Sequence, residues 1–382
     1  MKTALSSDEY LRYSRHLLIP DVGLQGQLKL KQAAVLIIGA GGLGSPVALY
    51  LAAAGVGRIG IVDSDVVDAS NLQRQVLHGS AELGQPKVES ARRRMLDLNP
   101  NITVDIYPEP FTAANARQIA APYDVIVDCS DNFPTRYLSN DLCVLTGKAN
   151  IYGAIYRFDG QASVFDARHG PCYRCLFPEP PPPGLVPSCS DGGVLGVLPG
   201  VIGALQAAET IKVLLGIGET LVGRLLLVNA LEMSFELIKL RKNPQCKVCG
   251  TKPTVTDLID YEAFCGIPGR EHPPAEEGHA LSASELAAKL QRGDGLVLVD
   301  VREPHELDIS QLPGARLIPL GELPTRMGEL DEGSEIVLFC RTGSRSERAL
   351  AMLRGAGFNR ARHLAGGINA WAREVDQSLP VY

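Results

Sequence analysis

The feature that most constrains the fold is a glycine-rich stretch standing between a strand and a helix. The run Ala34–Ile38 is wholly aliphatic and predicts a buried strand, and residues 45–54 predict a helix of small side chains that Gly55 ends. A second aliphatic strand follows at Arg58–Val62. Strand, helix and strand together predict a βαβ unit.

Hydrophobic patterning divides the 382 residues into two α/β domains. Short apolar runs continue the alternation of strands and helices to about residue 165, and a helix is predicted from Pro199 to about Leu215. Residues 251–278 are rich in proline with little periodicity, so they predict a linker between domains at 1–250 and 279–382. The second domain again alternates predicted helices and strands.

Charge and hydropathy exclude several classes of protein. The net charge of −6 offers no basic surface, so we expect no nucleic-acid partner. The N-terminal residues are polar and lack the apolar core of a secretory signal, which predicts a cytoplasmic protein. We also expect no membrane anchor, because the most apolar stretch, 193–218, is interrupted by Pro199, Gln206, Glu209 and Lys212.

The glycine-rich stretch is typical of a nucleotide site. Its glycines let the backbone approach phosphates closely, and the N–H groups at the start of the following helix then face those phosphates. The four glycines are Gly39, Gly41, Gly42 and Gly44. Asp63 follows the second strand, where a carboxylate accepts hydrogen bonds from ribose hydroxyls. This pattern alone leaves open an NAD-dependent dehydrogenase and a turn without a ligand.

The residues after Asp63 favour phosphate chemistry over hydride transfer. Arg74 and Lys87 are cations that can neutralise a triphosphate, and Asp131 stands at the end of a strand, where it can hold Mg²⁺. Each has a simpler interpretation, as a solvated surface charge or, for Asp131, a helix cap. Their concentration after one βαβ unit favours the phosphate site.

Five motifs in order carry a family resemblance. They are Arg12-Tyr-Ser-Arg15, Gly39-x-Gly-Gly-x-Gly44, Asn71-Leu-Gln-Arg74-Gln75, Gly84-x-Pro-Lys87 and Asp128-x-x-Asp131-Asn132. With these motifs, residues 5–250 resemble the E1-like adenylyltransferases (MoeB/ThiF family), which activate ubiquitin-like sulfur carriers in molybdopterin and thiamine biosynthesis. The resemblance implies a Rossmann-like fold and an enzyme that uses ATP to adenylylate the C-terminal glycine carboxylate of a carrier.

The same resemblance implies roles for single residues. It places Asp63 on the ATP ribose, Arg15 and Lys87 on phosphates, and Asp131 on Mg²⁺. It also implies a homodimer in which Arg74 contacts a phosphate from the second subunit. Two asparagines, Asn71 and Asn132, belong to the implied nucleotide site.

Two Cys-x-x-Cys pairs predict a metal site. Cys172 and Cys175 form one pair, and Cys246 and Cys249 form the other. Four thiolates suit a tetrahedral Zn²⁺ with no open position, which predicts a structural role. The E1-like family has a structural zinc at matching pairs. The alternatives are a redox dithiol and a disulfide pair.

Cys189 stands alone after a run of prolines at 180–183, which predicts a loop. In sulfur-transferring relatives, this position holds a cysteine that bonds transiently to the activated carrier or to its persulfide donor. The resemblance therefore implies that role for Cys189. An inert surface thiol is the alternative.

Cys340 lies between a predicted strand and a predicted helix, in the run Cys340-Arg-Thr-Gly-Ser-Arg345. The N–H groups of such a loop and its two arginines favour a thiolate or a bound anion. With Asp300-Val-Arg302 and Leu312-Pro-Gly-Ala315, the run resembles a rhodanese domain over 279–382, in which Cys340 bears the persulfide. The rival is a phosphatase, whose loop is one residue longer. The sequence departs from the family at Ser310-Gln311, where Gly-His is usual.

Together the two domains imply one pathway. A ubiquitin-like carrier ending in Gly-Gly is adenylylated and then receives sulfur from the Cys340 persulfide, which gives the carrier thiocarboxylate. We expect a cysteine desulfurase or thiosulfate to load Cys340, and Cys189 to form a disulfide with Cys340 as the product leaves. The alternatives are a non-catalytic scaffold and an NAD-dependent oxidoreductase with an accessory rhodanese-like or phosphatase-like domain.

Overall fold

The computed structural model describes residues 4–182, 192–266 and 279–382, and the chain forms two compact units, 1–269 and 270–382. Strands of the first unit are β1 Ala34–Ile38, β2 Arg58–Val62, β3 Thr103–Tyr107, β4 Val125–Asp128, β5 Ala149–Tyr156, β6 Asp159–Phe165, β7 Arg224–Asn229 and β8 Ser234–Lys239. Its helices are α1 Ser7–Arg12, α2 Ser14–Leu17, α3 Gly23–Gln32, α4 Gly44–Ala54, α5 Lys87–Leu98, α6 Ala116–Ala120, α7 Phe133–Thr146, α8 Tyr173–Leu176, α9 Leu198–Leu215 and α10 Tyr261–Phe264.

The sheet of the first unit has the order β3-β2-β1-β4-β5-β6-β7-β8. Strands β3 to β5 in this order are parallel, and β6, β7 and β8 pair antiparallel. Ile38 of β1 pairs with Val62 on one side and with Asp128 on the other. Because β1 and β4 are parallel neighbours, their carboxyl ends lie on the same side of the sheet. The strand order reverses between these two strands, and open sheets of this kind bind nucleotides at that position.

Helix packing explains why β1 is buried along its whole length. Apolar side chains cover both faces of the sheet: α4, α5 and α9 contribute to one cluster, and α6 and α7 to the other. Helix α9 is long and apolar enough to cross a membrane by length and composition, and half of that stretch is buried. It packs on α4, β5 and β6, as a core helix does.

The structure confirms the predicted βαβ unit and its local signals. The hydroxyl of Ser6 accepts the N–H of Glu9, whose carboxylate accepts the N–H of Ser6, so the predicted capping box is present at α1. Gly55 ends α4 with a φ of +82°, a left-handed conformation that favours glycine. The sequence did not reveal β7 and β8, which lengthen the sheet beyond the predicted strands.

Part of the expected linker is packed against the first unit. Tyr261 and Cys265 are buried in its second apolar cluster, and the hydroxyl of Tyr261 donates to Asp141 over 2.9 Å. Proline-rich composition concealed these contacts, because two buried side chains over a short helix leave no periodic pattern. The structure thus differs from the prediction for 251–266, whereas 267–278 lie outside the described residues.

The second unit is a smaller parallel α/β fold. Its strands have the order β11-β10-β12-β13-β9 and span β9 Ala280–Leu281, β10 Leu296–Asp300, β11 Arg316–Leu317, β12 Glu335–Phe339 and β13 Ala361–Leu364. Its α-helices are α11 Ala283–Arg292, α12 Leu323–Arg326, α13 Ser344–Gly355 and α14 Gly367–Glu374. The predicted capping box of Ser282 and Glu285 is confirmed at α11.

Candidate active sites

The glycine-rich loop turns sharply between β1 and α4. Gly39 has a φ of +97°, and a Cβ there would lie 3.0 Å from the carbonyl oxygen of Cys129, which follows β4. A Cβ on Gly44 would lie 2.0 Å from the carbonyl oxygen of Gly39. Only glycine fits these two positions, and the close turn brings the N-terminus of α4 to the edge of the sheet.

Asp63 lies directly behind this loop. One of its carboxylate oxygens accepts the N–H of Ala40, and the other accepts the N–H of Asp65, both over 2.8 Å. The carboxylate is thereby held at the end of β2 and is only partly buried. Each oxygen can accept more than one hydrogen bond, so Asp63 can also accept from a ligand hydroxyl.

Arg74 lies beside the glycine loop of its own chain. Its Cγ is 3.7 Å from where a Cβ of Gly42 would be, and its guanidinium donates to the carbonyl of Ser70 over 3.2 Å. The N–H groups of Arg74 and Gln75 both donate to the carbonyl of Asn71, which turns the segment back over the loop. Arg74 thus lies at the glycine loop of its own chain, and its expected contact from a second subunit stays a prediction.

Lys87 begins α5 and forms an ion pair with Asp65 over 2.9 Å. The lysine side chain is 5% exposed and that of Asp65 is 68% exposed. Because the N–H of Asp65 donates to Asp63, the ammonium is held next to the turn that carries the predicted ribose ligand. The structure thus brings Lys87 to the site, although its charge is already partly offset.

Arg15 lies at the opposite end of α4. The neighbouring Tyr13 packs its ring against Gly55, and His16 contacts Gln27, whose amide donates to the carbonyl of Ala54 over 2.8 Å. Eleven helical residues separate that end from the glycine loop by about 16 Å. Within one chain the structure therefore does not bring Arg15 to the predicted phosphate site.

Asp131 and Asn132 follow β4 at the same edge as the glycine loop. Both are exposed, and the Asn132 side chain caps α7 by accepting the N–H of Thr135. Arg136 stabilises this turn, because its guanidinium donates to the carbonyl of Ser130 over 3.3 Å. Asp131 is thus exposed in a turn that these two hydrogen bonds hold in place.

Sequence reasoning missed two buried polar side chains around the glycine loop. The amide of Gln75 lies against Gly41, and its oxygen has no hydrogen-bond partner among the described residues. The imidazole of His78 contacts the carbonyl of Ala40 over 2.8 Å. Gln75 ends the motif that begins at Asn71, and His78 lies three positions after it. The sequence around them is largely polar, so no local pattern marked these two side chains as buried.

The four predicted metal ligands form a cluster. The sulfur atoms of Cys172, Cys175, Cys246 and Cys249 all lie within 4.8 Å of one another, with the closest at 3.4 and 3.5 Å. Four sulfurs around a tetrahedral Zn²⁺ are about 3.8 Å apart, given a Zn–S distance of about 2.3 Å. The donor set and its spacing therefore fit one tetrahedral ion.

Strand β8 exposes an apolar surface at the edge of the large sheet. Its residues Phe235, Leu237 and Ile238 are 53%, 55% and 44% exposed, and Leu231 and Met233 before it are more than 70% exposed. We call these five residues the β8 surface. Alternation along the strand places Phe235 and Leu237 on one face and Ile238 on the other. Clustered exposed apolar side chains can mark a binding surface.

Cys189 lies outside the described residues, so the structure does not place it. Cys340 directly follows β12 and is 1% exposed. Its sulfur accepts the N–H of Gly343 over 3.1 Å, and Gly343 has a φ of +103°. A backbone N–H directed at the sulfur is the kind of donor that stabilises a thiolate.

A buried polar network supports the Cys340 loop. Arg345 donates twice to Glu306, over 2.5 and 2.8 Å, and Arg302 binds Asp300. Tyr382 joins the two pairs, because its hydroxyl accepts from Arg302 over 2.6 Å and donates to Glu306 over 3.1 Å. The sequence suggested two arginines whose charge acts on Cys340, whereas Glu306 offsets that of Arg345.

The departure at Ser310-Gln311 falls within this network. The carbonyl of Ser310 accepts from Arg302 over 2.8 Å, whereas Gln311 is exposed and donates to the carbonyl of Leu307. The backbone of Ser310 therefore preserves the support of the loop.

Comparison with known proteins identifies a family for each of the two units. The ThiF family model matches residues 13–248, and the rhodanese-like domain matches residues 282–374. The chain belongs to the ThiF family. Among relatives of this ThiF-family chain, the probable adenylyltransferase/sulfurtransferase MoeZ of Mycobacterium tuberculosis is 50% identical over 100% of this chain and 97% of its own length. The adenylyltransferase and sulfurtransferase MOCS3 of Drosophila yakuba is 46% identical over 100% and 86%.

Solved structures also resemble a large part of this chain. Escherichia coli MccB with AMPCPP and MccA is 25% identical with a TM-score of 0.57, covering 64% of this chain and 76% of that one. MccB with ATP gives 25% identity and a TM-score of 0.55, covering 62% and 74%. The ThiF-family chain is thus an adenylyltransferase and sulfurtransferase that uses ATP, and its family implies a ubiquitin-like sulfur carrier as partner. These relatives do not favour the NAD-dependent alternative.

Proposed function

We propose that the crevice at β1 and β4 activates the C-terminal glycine carboxylate of a carrier ending in Gly-Gly, and that Cys340 then supplies sulfur. The observation that carries this proposal is that one chain holds both reaction centres. The glycine loop, Asp63 and Asp131 meet at one sheet edge, and Cys340 lies in an anion-stabilising loop. We take the catalytic domains to be 1–250 and 279–382.

In the first step, the carrier carboxylate attacks the α-phosphorus of ATP, pyrophosphate leaves and an acyl-adenylate forms. Asp63 holds the ribose, and the N–H groups of the glycine loop bind the phosphates. Arg74, Lys87 and Asn71 stand on the same side, and Mg²⁺ held by Asp131 beside Asn132 would offset charge on phosphate oxygens. Positioning and charge neutralisation carry this step, because no protein group needs to form a covalent bond.

We further propose a homodimer in which Arg15, and not Arg74, is contributed by the second subunit. The support is the placement of Arg15 about 16 Å along α4 from its own glycine loop, whereas Arg74 lies beside that loop. A guanidinium supplied across a dimer interface adds a cation where the triphosphate is most negative.

The second step transfers sulfur. The terminal sulfur of the Cys340 persulfide attacks the acyl-adenylate, AMP leaves, and an acyl disulfide joins the carrier to Cys340. The thiolate of Cys189 then attacks the Cys340 sulfur, which releases the carrier thiocarboxylate and leaves a Cys189–Cys340 disulfide. A dithiol reductant restores both thiols, and a cysteine desulfurase or thiosulfate reloads Cys340.

Two further features support this activity. The β8 surface offers an apolar face on which a small carrier can dock. Zn²⁺ held by the four clustered cysteines would tie α8 to the segment after β8 and play no part in either step. Thiol chemistry of this kind requires a reducing compartment, so we place the protein in the cytoplasm.

The experiment that tests the proposal is carrier-dependent exchange between ATP and pyrophosphate. Small carriers ending in Gly-Gly are supplied one at a time, and the Asp131→Asn variant is the control. We expect exchange with one carrier and a loss of at least about 100-fold in the variant, since the metal-binding charge is removed. Exchange that persists in the variant would contradict the role of Asp131. If none of the supplied carriers supports exchange, the activation step is contradicted.

A further inference from the structure

His78 is a buried imidazole with both ring nitrogens engaged. It is 8% exposed, with Nε2 2.8 Å from the carbonyl oxygen of Ala40 and Nδ1 2.8 Å from the hydroxyl of Ser90. A carbonyl oxygen can only accept, so Nε2 carries a hydrogen and donates to Ala40. Burial lowers the pKa of His78, and the hydrogen bond to the carbonyl of Ala40 partly opposes this shift.

The peptide that His78 contacts is the centre of the glycine loop. The N–H of Ala40 donates to Asp63, so side chains hold this residue through both of its backbone polar groups. In a planar trans peptide, the carbonyl of one residue and the N–H of the next point in opposite directions. Fixing the carbonyl of Ala40 toward His78 therefore aims the N–H of Gly41 away from it, on the opposite side of the loop.

The other side of the ring is tied to α5. Ser90 lies in the first turn after Lys87, and its hydroxyl donates to Glu82 over 2.6 Å. The charged groups facing the ring are Lys87, Glu82 and Asp63. His78 thus bridges the two elements that supply the glycine loop and Lys87, and it fixes their separation.

We propose that His78 is a positioning residue for adenylylation, which sets the glycine loop so that the N–H of Gly41 faces the phosphates of ATP. The inference rests on the proposed ATP site at that loop. His78 contacts the loop and α5 and touches no reacting atom, so its effect appears in the binding of phosphates and not in that of the nucleoside. Loss of the Nε2 contact frees the Ala40–Gly41 peptide to rotate, because the backbone of Gly41 resists rotation least.

Two variants separate the contacts of the ring. The amide nitrogen of a glutamine at position 78 reaches as far as Nε2, whereas that of an asparagine reaches only as far as Nδ1. His78→Gln therefore keeps the bond to Ala40, and His78→Asn keeps only the contact with Ser90. Dissociation constants for ATP with Mg²⁺ and for adenosine are measured by calorimetry on the full-length protein and both variants.

We expect His78→Asn to weaken ATP binding about tenfold, the effect of losing one buried hydrogen bond, and to change adenosine binding less than about twofold. His78→Gln should stay within about threefold of the unchanged protein for both ligands. The melting temperature without nucleotide verifies that both variants are folded, and the transfer of sulfur from thiosulfate to cyanide verifies that the second unit is intact.

Three results would overturn parts of this picture in distinguishable ways. Equal ATP affinity in all three proteins would exclude His78 from positioning the loop. Equal losses for ATP and adenosine in both variants would show a merely structural role. Failure of the unchanged protein to bind ATP would contradict the ATP site itself. If His78→Asn does not fold, Ser90→Ala tests the α5 side of the bridge, and an unchanged ATP affinity there would contradict the bridging role.

Discussion

Glu306 holds Arg345 in a doubly hydrogen-bonded ion pair beside the loop of Cys340, at 2.5 and 2.8 Å. The side chains are 9% and 11% exposed, so water screens the pair little. Arg345 is thereby fixed as part of the wall of the loop, with its charge offset. The loop of this rhodanese-like domain consequently depends on a carboxylate that lies 39 positions earlier in the sequence.

The first prediction concerns acid stability. Burial alone raises the pKa of Glu306, but hydrogen bonds from Arg345 and from the N–H of Glu303 lower it to about 2, below the ordinary 4.5. A carboxyl whose pKa is lowered by folding stabilises the fold above its unfolded pKa and loses that contribution as the pH falls toward its folded pKa. Compared with Glu306→Gln, the protein should be more stable by up to about 3 kcal/mol at pH 7, with the difference shrinking between about pH 5 and pH 2.

Urea unfolding of both proteins measures this difference. Trp371, the single tryptophan, lies in α14 of the second unit, so its fluorescence reports on the unit that contains Glu306. A difference that is constant from pH 7 to pH 2 would contradict the assigned pKa.

The second prediction separates the two reactions. Cys340→Ala should leave the exchange of ATP with pyrophosphate within about twofold, because Cys340 lies in a different unit from the glycine loop. It should abolish the carrier thiocarboxylate, which mass spectrometry detects as a gain of one sulfur in place of one oxygen. Cys265→Ala, which removes a buried thiol of the first unit, is the control. Full thiocarboxylate from Cys340→Ala would contradict the joined mechanism.

The third prediction concerns the metal. Purified protein should contain about one zinc per chain, and Cys246→Ser should lose most of it with a lower melting temperature, because three thiolates bind more weakly than four. Cys143→Ser should keep its zinc, since that buried thiol lies outside the cluster. Atomic absorption measures the metal. Retention of zinc by Cys246→Ser, or two disulfides in place of the metal, would contradict the site.

The fourth prediction concerns the β8 surface. Leu237→Asp places a charge where we expect the carrier to dock, and it should raise the KM for the carrier about tenfold while ATP binding is unchanged. Met352→Asp, on an exposed position of α13 in the other unit, is the matched control. The measurement is pyrophosphate exchange at increasing carrier concentration. An unchanged KM in Leu237→Asp would place the carrier elsewhere.

The fifth prediction tests the contribution of Arg15 across a dimer. Arg15→Ala and Asp131→Asn should each be nearly inactive in exchange. In a mixed dimer, one of the two sites receives an intact Arg15 and an intact Asp131. Each mixed dimer should therefore show up to about half of the exchange activity of the unchanged dimer. Differently tagged chains allow the mixed dimer to be isolated. Absence of recovery in isolated mixed dimers would show that both residues act within one chain.

Local signals in the sequence were enough to predict the elements that make the sites. The aliphatic run of β1 predicts a buried strand, and the glycines after it predict a phosphate loop. Burial and a positive φ restrict the residue types at those positions. The two Cys-x-x-Cys pairs likewise predict a metal site, since this spacing is typical of cysteine ligands of zinc. Capping boxes at Ser6 and Ser282 located two helix starts by hydrogen bonds over three residues.

What the sequence by itself determined was therefore the α/β class, the presence of the two domains and the four cysteines that cluster. Only the tertiary structure decided which residues meet: Arg74 lies at its own glycine loop, Arg15 lies at the far end of α4, Tyr261 packs on the first unit, and His78 holds Ala40. The physical reason is that local signals report on hydrogen bonds and burial within a few residues. Contacts between distant segments depend on how helices and strands pack, which no short pattern encodes.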